Sequence, residues 1–239
     1  MMGGGSMKKT MTVAAFCIAA ALTHAHAAAP KAELAPAFPK LPEQGGPMAE
    51  KINHALAGLD RKFAAAAGEC RAGDPAGNQA DRSFEVTLKG AHYYAVVASE
   101  NWYCGGAYPD TDTLALTYDL ATGRPVDWVK LLPGLGLKGS TDTTFDGTVI
   151  GVVASKKLSD FYIAENAKSP DHMEDCAEAL ADPQLTFQLW PAAKEGGLAV
   201  EPASLPHATA ACAEIVTVTP ARLREWGAAP ALVEDLEAR

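Results

Sequence analysis

The chain has 239 residues, of which 48% are hydrophobic and 21% charged, a composition that excludes a collagen-like, coiled-coil or wholly disordered protein. All 29 acidic residues follow position 27, whereas Lys8 and Lys9 precede it; beyond that point 18 basic residues face 29 acidic ones, a net charge of −11 with histidine neutral. Such a surface repels polyanions, which sets aside nucleic acid and anionic membrane as partners and favours a basic one.

The first element is a leader. Lys8-Lys9, an apolar stretch from Met11 to Leu22 and then Ala25-His26-Ala27 stand in the order of a secretory signal peptide, and Met1 to Ser6 read as an upstream extension. Cleavage after Ala27 is expected, with delivery to the periplasm or the cell exterior. No stable membrane insertion is expected afterwards, because the apolar run falls short of the roughly 20 residues that span a bilayer. Cys70, Cys104, Cys176 and Cys212 remain, without a Cys-x-x-Cys spacing. In an oxidising compartment they predict two disulfides. Three pairings are open; the shorter loops favour Cys70 with Cys104 and Cys176 with Cys212. A zinc site built on these thiols fits the compartment and spacing less well.

Residues 28–47 hold Pro30, Pro36, Pro39, Pro42 and Pro47, which predicts an extended, poorly packed linker ahead of a single domain over 48–239. Ile52, Leu56, Leu59 and Phe63 recur at helical spacing from Met48 to Ala67, with Gly68 as the stop. After a loop at Asp74 to Asn78 the period changes to two. Phe84, Val86 and Leu88 predict one strand, Lys89-Gly90 a turn and His92 to Ser99 a second strand. Leu114, Leu116, Tyr118 and Leu120 alternate with polar neighbours as in a half-buried antiparallel strand. Val126 to Leu132 predicts a short helix, Pro133 to Gly139 a loop and Val149 to Ala167 a longer helix. Strands follow at Leu185 to Leu189, Leu198 to Val200 and Ile215 to Val218, and Pro220 starts a terminal helix through Trp226. No repeat appears, and the order predicts an α+β fold with a mainly antiparallel sheet, packing helices and two disulfides.

Between two of these strands stands Cys104-Gly105-Gly106-Ala107-Tyr108-Pro109, and the second strand closes in Tyr118-Asp119-Leu120-Ala121-Thr122-Gly123-Arg124-Pro125-Val126, followed by Lys130-Leu131-Leu132. This ordered series resembles the exported domain-of-unknown-function family found in the ectodomain of the lysozyme-sensing anti-sigma factor RsiV and ahead of some polysaccharide deacetylase domains. Gly197 to Val200, Leu205-Pro206-His207 and Ile215 to Leu223 resemble the family's last block, so the likeness covers about 48–226. Tyr108 stands where the family usually has histidine, and Cys104 precedes the glycines, which shifts the motif away from shared histidine chemistry. The resemblance implies an ectodomain that binds a cell-wall hydrolase, and no established catalytic activity.

Trp102, Tyr103, Gly105, Gly106, Tyr108, Asp110 and Asp112 form the candidate binding segment. Tyr and Trp supply large contact areas at low entropic cost, acids attract a cationic partner, and glycines permit positive φ. The simpler alternatives are a bulge for the glycines and core packing for Trp102. His92, His172 and His207 are possible bases, but no Ser or Cys motif frames a nucleophile. Asp171 to Asp175 is read as a solvated acidic loop rather than a metal site. The expectation is a non-enzymatic binding domain of the envelope, without cofactor or metal, whose partner is a basic lysozyme-like protein. The alternatives are a glycan-binding accessory module, for peptidoglycan, and a wall hydrolase.

Overall fold

Period-two alternation and β-branched runs build two antiparallel sheets, with helices packed around them. The computed structural model describes residues 35–42, 45–74, 77–169, 176–203 and 205–238; the leader and the Asp171 to Asp175 loop with His172 lie outside the described residues. The first sheet is a meander of β1 (Gln79–Lys89), β2 (Tyr93–Tyr103), β3 (Asp110–Asp119) and β4 (Arg124–Pro125). The second runs β5 (Lys138–Thr143), β6 (Val149–Ala154), β7 (Phe187–Ala192), β8 (Gly197–Pro202) and β9 (Val216–Val218). Helices α1 (Gly46–Gly73), α2 (Trp128–Leu131), α3 (Lys156–Asn166), α4 (Ala177–Leu180), α5 (Pro220–Glu225) and α6 (Pro230–Glu237) complete the described fold. The protein is α+β with antiparallel sheets and two disulfides, Cys70–Cys104 and Cys176–Cys212. Such bridges belong to a protein that folds in an oxidising compartment. Among the described residues no helix is long and apolar enough to cross a membrane.

The strand β2 organises the site because both of its faces are used. Its even positions, Tyr94, Val96, Ala98, Glu100 and Trp102, are buried; Tyr94, Val96 and Ala98 share a core with Ile52 and Leu56 of α1, Leu114 of β3, and Ile150 and Val152 of β6. On the other face Val97 packs against Trp190 and Ala199 of the second sheet. The two sheets are also joined by Gln188 of β7, whose side-chain amide donates to the Thr113 carbonyl at 2.7 Å and accepts from the Ala115 N–H at 2.9 Å. It continues the ladder along a stretch of β3 that β4, paired only with Tyr118 and Asp119, does not reach.

Five sequence expectations need correction. Residues 35–42, expected in a loose linker, are held to the body: Phe38 is buried, the Asn53 amide both accepts from Leu41 N–H and donates to its carbonyl, and Tyr94 Oη donates to Pro39 O. The proline-rich stretch therefore packs where its aromatic and leucine reach the sheet. The helix expected over 149–167 divides into β6 and α3. Val149, Ile150, Val152 and Val153 around Gly151 suit a strand, and the Ser155 hydroxyl accepts from Leu158 N–H to cap the new helix. The loop expected to run to Gly139 ends earlier, as β5 begins at Lys138. The helix α1 passes through Gly68 to Gly73, and α6 follows the expected terminal helix.

Candidate functional site

The bend between β2 and β3, residues 104–109, projects from the first sheet. Gly105 and Gly106 have φ of 85° and 118°, a region where a Cβ is strained. The Cys70–Cys104 bridge ties the root of the bend to the end of α1. Tyr108 is 73% exposed and Tyr103 39% exposed, while the Tyr103 hydroxyl donates to the Gly106 carbonyl at 3.5 Å. Asp110 is exposed beside them and Asp112 is half-buried.

Trp102 does not belong to that exposed set. Its ring is 2% exposed and sits against Phe63 of α1, with 4.8 Å between centroids. The reason is register: Trp102 falls on the same face as Tyr94, Val96 and Ala98, which α1 covers, whereas Tyr103 faces the opposite way. As a surface anchor Trp102 is therefore corrected; it supports the site from beneath.

A second hairpin end meets the first. The turn between β5 and β6, residues 144–148, is closed by the Thr144 N–H donating to Thr148 O at 3.0 Å. Asp146 Oδ1 accepts from the Thr144 hydroxyl at 2.7 Å and from Thr148 N–H at 2.8 Å. Phe145 lays its half-exposed ring on Trp102, 4.8 Å between centroids and 28° between planes, and its N–H donates to Asp112 Oδ2 at 2.8 Å. From α1, Lys62 Nζ donates to Gly147 O at 3.0 Å. The 144–148 turn is thus bonded to β3 two residues beyond the start of that strand, next to the bend that carries Tyr108.

Beneath the turns lies a row of charge. Arg82, Glu100 and Asp112 are cross-strand neighbours on β1, β2 and β3. Glu100 is fully buried, and neither carboxylate oxygen has a hydrogen bond. Arg82 Nη1 stands 3.7 Å from Glu100 Oε1, beyond hydrogen-bond reach, while Arg82 Nη2 is bound to Asp60 Oδ1 at 2.5 Å. Burial pushes the Glu100 carboxyl up to about 7; Asp146 and Asp112 add repulsion that Arg82 opposes. Burial also raises Asp112, against the bond from Phe145 N–H.

Beside the turns a cleft of about 230 Å³ is lined by Asp112, Asp142, Gln188 and Glu201, with Ile150 and Leu205 as apolar wall and no Lys, Arg or His. Burial pushes Glu201 up to about 7, opposed by a bond from Thr113. A larger groove, about 680 Å³ between α3 and α4, holds Lys156 and Asp160, which pair with each other at 2.7 Å, and offers no comparable convergence. His92 is half-exposed, 3.6 Å from Glu234 and away from either cavity. His207 lies in the 3-10 turn His207–Cys212.

The structure therefore brings Tyr103, Gly105, Gly106, Tyr108, Asp110 and Asp112 together and moves Trp102 below them. Sequence reasoning missed Phe145, Asp142, Asp146, Glu100 and Glu201. Only Glu100 carried a readable signal, a charge on the inward face of an alternating strand. Comparison with protein-family models and with curated proteins finds no match.

Proposed function

We propose that this protein is an exported, disulfide-stapled, non-enzymatic binding module of the cell envelope, which grips a basic partner of the lysozyme type through its two joined hairpin ends. The observation that carries this reading is the 73% exposure of Tyr108 on a bend rooted by the Cys70–Cys104 bridge. A large aromatic displayed on a rigid base loses little conformational entropy on binding. Tyr103, at the root of the same bend, adds a second exposed ring, and Asp110 and Asp112 add negative charge at the start of β3. Together with the net acidity of the chain, that charge steers a cationic protein to this face. The resemblance of residues 93–132 to the lysozyme-sensing ectodomain family supports the same partner class.

Glycan recognition is the second reading, favoured by two exposed tyrosines on one bend, where sugar rings stack. Titrating a panel of basic lysozymes by calorimetry, alongside co-sedimentation with purified peptidoglycan, separates the two. Heat with a lysozyme and no sedimentation supports the first reading; sedimentation without heat replaces it with the second.

A further inference from the structure

We propose that β1 carries a second binding site, where an extended peptide of about five residues adds as a strand along the outer edge from Arg82 to Val86 and turns apolar side chains and one Lys or Arg toward Trp190 and Glu195.

The strand β1 is the edge of its sheet, and the register of that sheet decides which of its backbone groups face outward. Gln188 takes the Thr113 carbonyl and the Ala115 N–H, so those two residues of β3 point away from β2. Bonded and non-bonded pairs alternate in an antiparallel ladder. Leu114 and Leu116 therefore bond Ala98 and Val96, and Val97 and Ser99 are left to bond Glu85 and Ser83 of β1. Arg82, Phe84 and Val86 in turn direct their N–H and C=O groups outward.

Both ends of this stretch are closed. Ala80 O accepts from Arg71 Nη2 at 2.9 Å, and Thr87 O, turned outward at the bulge between Val86 and Leu88, accepts from Ala193 N–H at 3.0 Å. Between them, no hydrogen bond among the described residues reaches the outward backbone groups of Arg82, Phe84 or Val86. The outer edge of β3 is treated differently: Gln188 fills part of it, and Val126 N–H donates to Thr117 O at 3.0 Å. An edge left open between two closed ends is a template for one short strand from another chain.

The groove beside this edge sets the chemistry of that strand. About 570 Å³ in volume, it has Phe84, Glu85 and Val97 of the first sheet on one side and Trp190, Glu195 and Ile215 of the second on the other. Val97 packs on Trp190 at its floor, and Ile215 is 57% exposed. Alternate side chains of an added strand point to one face, so those directed into the groove meet Trp190 and Ile215, where apolar residues fit. The lining holds two carboxylates and no Lys, Arg or His. Lys194 pairs with Glu85, which makes the exposed Glu195 the acid that a peptide Lys or Arg meets. A second copy of this chain fits less well, because pairing β1 with β1 sets the acids of both copies against each other.

This site shares no residue with the face proposed above for a basic protein, and its test contains no such partner. The probe is an acetylated and amidated peptide, Lys-Thr-Val-Thr-Val-Thr, titrated into the ¹⁵N-labelled, disulfide-intact chain. Two analogues are N-methylated at its odd or at its even residues. The expected result is saturable shifts at the Arg82, Phe84 and Val86 amides and at the Trp190 indole, with exchange at Phe84 and Val86 slowed about tenfold at saturation. One analogue binds and the other does not, since only alternate N–H groups of an added strand face β1. Glu195→Gln weakens the peptide about threefold. Val86→Pro, which removes an outward N–H and spares the β1–β2 ladder, abolishes binding; the analogues give the same answer on the unmodified protein. No shift up to about 1 mM peptide, analogues that behave alike, or Phe84 and Val86 amides protected without peptide in a chain that sediments as a dimer would overturn the proposal.

Discussion

Phe145 and Trp102, 43 positions apart in the sequence, stack at 4.8 Å and join two hairpins that belong to different sheets. The same residue's N–H is bound to Asp112 of β3, so a ring contact and a hydrogen bond fix one turn on the other strand pair. That pair of contacts joins the two hairpin ends.

Phe145→Ala should therefore act on stability and on the face together. The ring is half-exposed, so its loss costs about 1 kcal/mol in urea unfolding. Faster exchange is expected at Thr148 than at β2 amides, and weaker partner binding with an unchanged far-ultraviolet spectrum. Unaltered exchange at Thr148 would mean that the turn is held by Asp112 and Lys62 without the ring.

A second joint lies at the opposite end of β2. Asp235 of α6, 3% exposed, accepts from the N–H groups of Ala91, His92 and Tyr93 at 2.8–2.9 Å, and a Cβ on Gly90 would fall 2.0 Å from its Oδ2. Asp235→Ala strands three donors and is expected to cost about 3 kcal/mol. Gly90→Ala, which displaces the carboxylate, should be destabilising in the same direction. Denaturant midpoints of both variants against the parent check this, and a midpoint unchanged in either would show that the turn reorganises without α6.

The acid cleft predicts a pH dependence of its own. Glu201 is pushed up to about 7 from an ordinary 4.5, so folding favours its protonated form. Its contribution is fully present below 4.5 and is lost as pH climbs through about 7, on the order of 2 kcal/mol after allowance for partial exposure. Unfolding free energies from pH 4 to 8 should decline over that interval, and Glu201→Gln should flatten part of the decline. An equal slope in the variant would assign the dependence to other groups.

How far the sequence disclosed this arrangement depends on the range of each contact. Helical spacing at Ile52, Leu56 and Phe63, alternation through β3 and the turn at Gly90 are local signals, and they placed α1 and the first sheet. The strand β6 was misread because Ile150 and Val153 satisfy a helical spacing as well as a strand, and only pairing with β5 decides between them. The strand β5, Lys-Gly-Ser-Thr-Asp-Thr, has no apolar side to announce it. At the site, the exposed bend was visible through its glycines and tyrosines. Phe145, Asp146 and Glu201 were not, because their importance arises from sheet-to-sheet contacts that no local pattern encodes. Trp102 was ambiguous until the register of β2 put it on the α1 face.

The central claim is that the joined hairpin ends grip a basic partner. It is tested most directly by calorimetric titration of the disulfide-intact chain with a basic lysozyme at low and at physiological salt, with a Tyr103→Ala, Tyr108→Ala double variant in parallel. The account predicts saturable binding whose affinity falls as salt rises and drops at least tenfold in the double variant. Absence of heat at low salt, or equal affinity for the parent and the double variant, would contradict it.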